Sequence, residues 1–272
     1  MLKTISVIGL ISFFAFMSKF YTQDTIVFGV KGQNNIDQER IITEFTDEWD
    51  ALLKKYVDSS GNVNYAALKT NPEQLNTILK TLGSLKVKIL SGKLKLNTHI
   101  NLYNFLTIFG IVHFYPIDSI RDKVTVGGFN FWKDMYFQFY DLKLSLDEIE
   151  HNILRKMNEP RIHFAIVCAS ASCPLLRNEA FRVNKINEQL GNQTNLFLSD
   201  PFNITWDHKS KNVRLSAIFS WFKTDFGNTD EEVLSFIWPY LQSDLKNEIG
   251  NISDYSIGPK LHYDWSLNEQ SN

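Results

Sequence analysis

Apolar residues recur at helical spacing along much of the chain, which predicts a largely helical protein. Between residues 36 and 56 they form one face of a long amphipathic helix, which ends at a turn cluster over 58–62. The same reasoning predicts helices over 73–82, 185–198, 217–226 and 229–238, the last opened by the capping box Thr229-Asp-Glu-Glu232. Helices therefore dominate the N-terminal third and recur to the end.

A nearly continuous apolar run over 100–114 predicts a buried helix, yet Asn97, Asn101 and Asn104 line one side of it. These amides, together with Gly110, favour a core helix over a membrane span. Two interpretations stay open. The amides satisfy buried backbone groups, or they supply fixed donors to a functional site.

Three extended segments are predicted: 135–144, 161–168 and a closing piece over 260–267, beside a hairpin of 204–206 with 213–215. The run from Arg161 to Cys168 is of central-strand type, which would place Cys168 at the carboxyl end of a strand and Cys173 in the following loop. These elements predict one α+β domain over 36–270, with a helical N-terminal part packed on a small mixed sheet.

Ser145-Leu-Asp-Glu148 is a second capping box, so a helix is expected to start at Leu146. On its helical wheel Glu150 falls near the middle of the apolar face, and His151 lies on the flank. A buried carboxylate is costly unless it is paired, so we expect Glu150 either to pair with Arg155 or Arg161 or to have a raised pKa.

Residues 1–20 predict a signal peptide or an N-terminal anchor, because Lys3 precedes an apolar run too short for a comfortable span. The polar segment 21–35 is expected to be a linker. We therefore expect export to the periplasm or outside the cell, with membrane contact only through residues 1–20. The two cysteines would then meet an oxidising compartment.

The 272 residues carry 28 basic and 30 acidic side chains, without a basic stripe, so nucleic-acid binding is not expected. The sequence has no glycine-rich phosphate loop, no G-x-S-x-G and no H-E-x-x-H. We therefore expect no cofactor and no metal.

Cys168 and Cys173 are the only thiols, and three interpretations of their spacing stay open. The first is a disulfide that shapes the loop, and the second is a nucleophilic cysteine, with Cys173 favoured because a loop thiol is more accessible. The third, a metal site, lacks tight C-x2-C spacing. For a nucleophilic cysteine, the candidate base is His151, because the side chains of His163 and Cys168 would face opposite sides of a regular strand.

Glu150 is the candidate orienting acid, but it diverges from His151 on a helix. Asp147 or an amide of Asn101 or Asn104 would orient that imidazole better.

Several motifs in order resemble the domain of unknown function 547 family, from about residue 45 to 267. They are Tyr56-Val-Asp, Asn62-Val-Asn-Tyr-Ala-Ala-Leu, Ile100-Asn-Leu-Tyr-Asn104, Ser145-Leu-Asp-Glu-Ile-Glu-His151, Arg161-Ile-His-Phe-Ala, Cys168-Ala-Ser-Ala-Ser-Cys-Pro174 and Tyr263-Asp-Trp-Ser-Leu267. The resemblance implies an exported bacterial protein and invites a cysteine-hydrolase-like arrangement that uses Glu150, His151, Cys168 and Cys173, with Asn101 and Asn104 nearby. The chain departs from the family pattern at 97–99.

Two functions are therefore expected as alternatives. One is a cysteine-dependent hydrolase or acyl transferase that acts on peptide or amide bonds. The other is a non-catalytic envelope module, in which a Cys168–Cys173 disulfide rigidifies a recognition loop and the partner is a peptide or an envelope component.

Overall fold

The computed structural model describes residues 25–34, 37–123 and 129–271, so the predicted signal or anchor over 1–20 lies outside the described residues. The described chain forms one α+β domain with helices and two small mixed sheets, as expected. The helices are α1 Gln38–Tyr56, α2 Tyr65–Thr70, α3 Glu73–Leu82, α4 Gly92–Phe114, α5 Phe131–Asp134, α6 Ile186–Ser199, α7 Ala217–Trp221, α8 Lys223–Phe226, α9 Asp230–Ile237 and α10 Ser243–Ile249, with a π-helix at Glu148–Leu154.

The first sheet has the order β1-β2-β3, from strands Ile26–Phe28, Met135–Gln138 and Lys143–Ser145. Strand β1 is parallel to β2, and β3 is antiparallel to it. The segment 135–144, predicted as a single strand, is thus a hairpin, closed where the Phe139 N–H donates to the Leu142 carbonyl at 2.8 Å.

Strand β1 lies inside the segment 21–35 that the sequence predicts as a linker. It pairs with β2, and Phe28 stacks on Phe137 with ring centroids 5.6 Å apart. Burial of Phe28 explains the pairing, because so short a strand needs packing to be stable. The described domain therefore begins before residue 36.

The second sheet has the order β4-β5-β6, from strands Ile204–Asp207, Asn212–Leu215 and Ser256–Ile257. The antiparallel pairing of β4 with β5 confirms the predicted hairpin. Aromatic and aliphatic side chains form a second core cluster around this sheet, and Phe164 belongs to it.

Helix α4 runs through the N-terminal core, and sixteen of its residues are buried. Buried residues lie on every side of it, as expected for a central helix, and they include the predicted amides Asn97, Asn101 and Asn104. Over the described residues, no helix combines the length and apolar character needed to cross a bilayer.

The predicted central strand over 161–168 is wrong. Pro160 begins a 3-10 helix, Pro160–Phe164, and the Glu159 side chain caps it. Beyond it the chain stays irregular, because side-chain amides take the place of neighbouring strands. Asn104 Nδ2 donates to the Ala165 carbonyl, and Asn104 Oδ1 accepts from the Val167 N–H, both at 2.9 Å.

Candidate functional site

The loop 168–173 is closed by a disulfide between Cys168 and Cys173, and both residues are partly exposed. Ala169, between them, has a φ of 65°, in the left-handed region that residues other than glycine rarely adopt. Such backbone strain persists only where the surroundings hold it, and it concentrates at functional sites.

The C-terminal tail supplies that support, since the chain from the predicted extended piece over 260–267 into Asn268 lies along the loop. The Asn268 N–H donates to the Ala169 carbonyl at 3.1 Å, and the Ala171 N–H donates to the Ser266 carbonyl at 2.7 Å. The backbone of the loop is therefore held by a segment that is distant in sequence, and its polar groups are satisfied there.

Hydrogen-bond donors converge on Cys173 Sγ. The Cys168 N–H donates to it at 3.0 Å, and the hydroxyls of Ser170 and Tyr263 each lie 3.2 Å away. A disulfide sulfur carries no hydrogen, so the hydroxyls are the donors. The Ser170 proton can alternatively go to the Tyr263 oxygen at 2.9 Å. Burial raises the pKa of Tyr263 to about 12, which keeps its hydroxyl protonated at neutral pH.

Tyr263 also lies 3.5 Å from Cys168 Sγ, so one phenol contacts both sulfur atoms. Its ring packs against Trp265 at 4.6 Å and Trp221 at 4.8 Å between centroids, and Trp221 is 43% exposed. Trp221 therefore lies at the surface, beside the tyrosine that contacts the disulfide.

The capping box at Ser145 and Glu148 forms as predicted, with the Ser145 N–H donating to Glu148 Oε2 at 2.9 Å. The helix that it opens has π geometry over Glu148–Leu154, a form found frequently at functional sites.

The π-helix turns Glu150 inward, where the Tyr103 hydroxyl donates to Glu150 Oε2 at 3.0 Å. Burial raises the pKa of Glu150 to about 7, against the opposing effects of the Tyr103 hydrogen bond and of Arg155. Arg161 instead pairs with Glu159.

His151 points away from Glu150, as the helical wheel indicates. Arg155 Nη1 lies 3.0 Å from His151 Nδ1, so the arginine donates and the imidazole proton stays on Nε2. His151 Nε2 is 3.7 Å from Asp147 Oδ1. Burial, only partly opposed by Asp147, lowers the pKa of His151. Among the described residues, no hydrogen bond or ion pair joins this imidazole to Cys168 or Cys173.

His163 belongs to a second polar cluster with Asp225 and Arg155. Asp225 accepts from Arg155 through both carboxylate oxygens, at 2.6 and 2.8 Å, and from His163 Nε2 at 2.7 Å. Burial lowers the pKa of His163 to about 4, although the bond to Asp225 opposes this. Phe222 stacks on the imidazole at 4.2 Å. His163 is therefore a neutral, fixed donor.

Asn101 and Asn104 satisfy backbone groups, which is the first of the two interpretations left open by the sequence. Asn101 Nδ2 donates to the Phe181 carbonyl at 2.9 Å, and Asn101 Oδ1 accepts from the Phe181 N–H at 3.0 Å. Asn104 does the same for Ala165 and Val167. Within the described part of the chain, no hydrogen bond joins either amide to an imidazole.

Sequence reasoning missed Tyr103, Ser170, Asp225 and Tyr263 as site residues. Tyr103 and Tyr263 lie inside motifs that carry the family resemblance, and that was the only available signal. Ser170 stands between the cysteines, inside another of those motifs. No sequence pattern indicated Asp225, which lies on the short helix α8. Across the part of the chain that is described, no group of three or more His, Cys, Asp and Glu side chains is arranged to hold a metal ion.

Residues 87–198 match the model of a family described as "Protein of unknown function, DUF547". This region therefore belongs to the domain of unknown function 547 family, as the motifs indicated. The match contains α4, the π-helix, both cysteines and all but the last residue of α6, whereas Asp225 and Tyr263 lie beyond it. Comparison with curated proteins found no match, and comparison with solved structures found none either.

Proposed function

We propose that this protein is a thiol–disulfide exchange protein whose reactive group is the Cys168–Cys173 disulfide. The observation that carries the proposal is the set of donors directed at Cys173 Sγ: the Cys168 N–H, the Ser170 hydroxyl and the Tyr263 hydroxyl. Donors around a sulfur atom favour its thiolate form over the thiol. The disulfide is also partly exposed, so a substrate can reach it.

The exchange takes two steps. A substrate thiolate attacks Cys168 Sγ, the Cys168–Cys173 bond breaks, and Cys173 leaves with the electron pair as a stabilised thiolate. A second thiolate of the same substrate then attacks the substrate sulfur that is bonded to Cys168, and Cys168 leaves as a thiolate. The substrate dithiol is oxidised to a disulfide, and the Cys168–Cys173 pair is reduced and protonated from solvent. Run in reverse, the steps reduce a substrate disulfide.

Export to an oxidising compartment is part of this proposal, because there the pair would be kept oxidised. A disulfide in the chain is compatible with export. Anchoring through residues 1–20 stays a prediction.

The test is the equilibrium of the purified protein with glutathione buffers of graded potential, read by alkylation and intact mass. We expect reduction at a potential above about −300 mV, since structural disulfides of secreted proteins fall below it. Ser170→Ala, which removes one donor, should make the pair easier to oxidise. A pair that stays fully oxidised at every glutathione potential would refute the proposal.

The cysteine-dependent hydrolase is a second proposal, because it would use the same Cys173 sulfur. It needs a base at that sulfur, and His151 has Nδ1 occupied by Arg155. The geometry therefore supports it less well. Release of an amide or ester product by the reduced protein, lost in Cys173→Ala, would favour it over exchange.

The non-catalytic envelope module is favoured by the clamping of the loop by the C-terminal tail. It predicts a disulfide that glutathione does not reduce, and a partner whose binding is lost when the disulfide is removed. The glutathione titration thus separates it from the exchange protein.

A further inference from the structure

Three aromatic side chains, Trp221, Tyr263 and Trp265, form an aromatic platform beside the disulfide. Their rings contact one another, with centroids 4.6 to 5.5 Å apart. Trp221 is 43% exposed, and the other two are partly exposed. The Tyr263 hydroxyl contacts Cys173 Sγ at 3.2 Å and Cys168 Sγ at 3.5 Å. A molecule that stacks on the aromatic platform therefore lies next to both sulfur atoms.

A positive charge lies at the edge of the aromatic platform. The guanidinium carbon of Arg121 is 5.2 Å from the centre of the Trp265 ring, and Arg121 is exposed. Among the described residues, none forms an ion pair with Arg121. The Asp264 carboxylate, on the same segment as Trp265, accepts from the Ser266 N–H and hydroxyl at 2.9 and 2.7 Å. The charge of Arg121 is therefore available to a carboxylate of a bound molecule.

The backbone that carries these groups is fastened at two places. The Ser119 hydroxyl donates to the Trp265 carbonyl at 2.6 Å and accepts from the Arg121 N–H at 3.2 Å. The Asp264 N–H donates to the Ser172 hydroxyl of the disulfide loop at 2.8 Å. Aromatic platform, cation and disulfide are thus held together before any ligand binds, and a preorganised surface loses less entropy on binding.

We propose that the aromatic platform and Arg121 bind the substrate of the exchange reaction, a cysteine-containing polypeptide with an aromatic and an acidic side chain close to its cysteine. The aromatic side chain stacks on Trp221 and Trp265, and the carboxylate pairs with Arg121. The steps from the Tyr263 ring to Trp265, 4.6 Å, and on to Arg121, 5.2 Å, are spanned by about three residues of extended chain. The substrate thiolate then reaches Cys168 Sγ. The inference rests on the proposed function for this reaction.

The first experiment measures the initial rate at which peptides form a mixed disulfide with the oxidised protein, read by acid quench and intact mass. The probes are acetylated, amidated Glu-Phe-Cys-Phe-Glu, Glu-Ala-Cys-Ala-Glu and Gln-Phe-Cys-Phe-Gln, symmetric so that chain direction does not matter. Each rate is referred to the thiolate concentration of the peptide. We expect the first peptide to react about fivefold faster than either of the others, because each of them lacks one contact. Equal rates would overturn the inference.

Two variants assign the preferences to their residues. Trp221→Ala should abolish the preference for phenylalanine, and Arg121→Gln the preference for glutamate. Each preference compares two peptides on one protein, so a general loss of stability does not imitate the result. Phe202→Ala and Arg214→Gln, at exposed sites outside the aromatic platform, are the matched controls and should keep both preferences. Preferences that survive both platform variants would refute the assignment.

The second experiment separates this inference from the exchange function. The peptide Glu-Phe-Ser-Phe-Glu has no thiol, so its affinity for the oxidised protein, read by tryptophan fluorescence, does not depend on exchange. We expect binding that weakens about threefold in Arg121→Gln protein and in about 1 M salt. Binding without exchange would refute the proposed function and support the binding surface. Exchange with glutathione but no peptide binding would overturn the inference alone, and so would binding of tetragalacturonic acid in place of the peptide.

Discussion

Asn104→Ala should destabilise the protein strongly, because the Asn104 amide replaces a missing strand neighbour. Its side chain is 3% exposed and makes two backbone hydrogen bonds at 2.9 Å, to the Ala165 carbonyl and from the Val167 N–H. Alanine leaves both backbone groups without this partner. A buried group that loses its partner costs about 1–3 kcal/mol, so the two together cost about 2–6 kcal/mol.

Alanine recovers about 0.5 kcal/mol of helix propensity, and we expect a net loss of about 3 kcal/mol. For a domain of this size that lowers the melting temperature by about 6–12 °C. The assay is urea unfolding with the disulfide intact, with the midpoint and the slope both measured. Asn76→Ala, at an exposed site on α3, is the matched control and should change stability by under about 0.5 kcal/mol.

A loss below about 1 kcal/mol with an unchanged slope would refute the argument, since the backbone of 165–167 would then not depend on this amide. It would also reopen the interpretation in which Asn104 serves a functional site.

Two further predictions concern other buried polar groups. Burial lowers the pKa of His99, His113 and His163 to about 4 each, so the unfolded chain binds more protons below its histidine pKa of about 6.5. The free energy of unfolding should therefore fall as the pH drops from about 6.5 to 4. His99→Leu should make this pH dependence shallower, as measured by urea unfolding at graded pH. An unchanged pH dependence would contradict the argument. Tyr65→Phe removes the 2.7 Å hydrogen bond to Asn268 Oδ1 and should cost about 1–2 kcal/mol, checked by the same unfolding assay. A neutral result would mean that the tail is not fastened at this point.

Local rules determined much of this fold from sequence. Helical periodicity placed α1, α3 and α6 within a few residues, and both capping boxes form as written, at Ser145 and at Thr229. These features depend on neighbours three or four residues apart, which a sequence displays directly. The inward position of Glu150 followed from the same periodicity.

Tertiary structure alone decided the character of 161–168. The run has the composition of a strand, but a central strand also needs neighbouring strands on both of its edges. Those neighbours are amides of Asn104 and Gln193, on helices before and after the segment, and Gln193 Nε2 donates to the Phe164 carbonyl at 3.2 Å. Composition indicates which secondary structure a segment prefers, whereas the residues that supply its hydrogen-bond partners depend on the whole fold.

The candidate site divides in the same way. Sequence identified the two cysteines, Glu150 and His151 by residue type and spacing, because such groups are chemically distinctive wherever they occur. The partners that give them their properties come from distant parts of the chain: Tyr263 lies 90 residues from Cys173, and Asp225 lies 62 residues from His163. Long-range packing decides which groups share a site and which backbone atoms face them, and no local pattern encodes that.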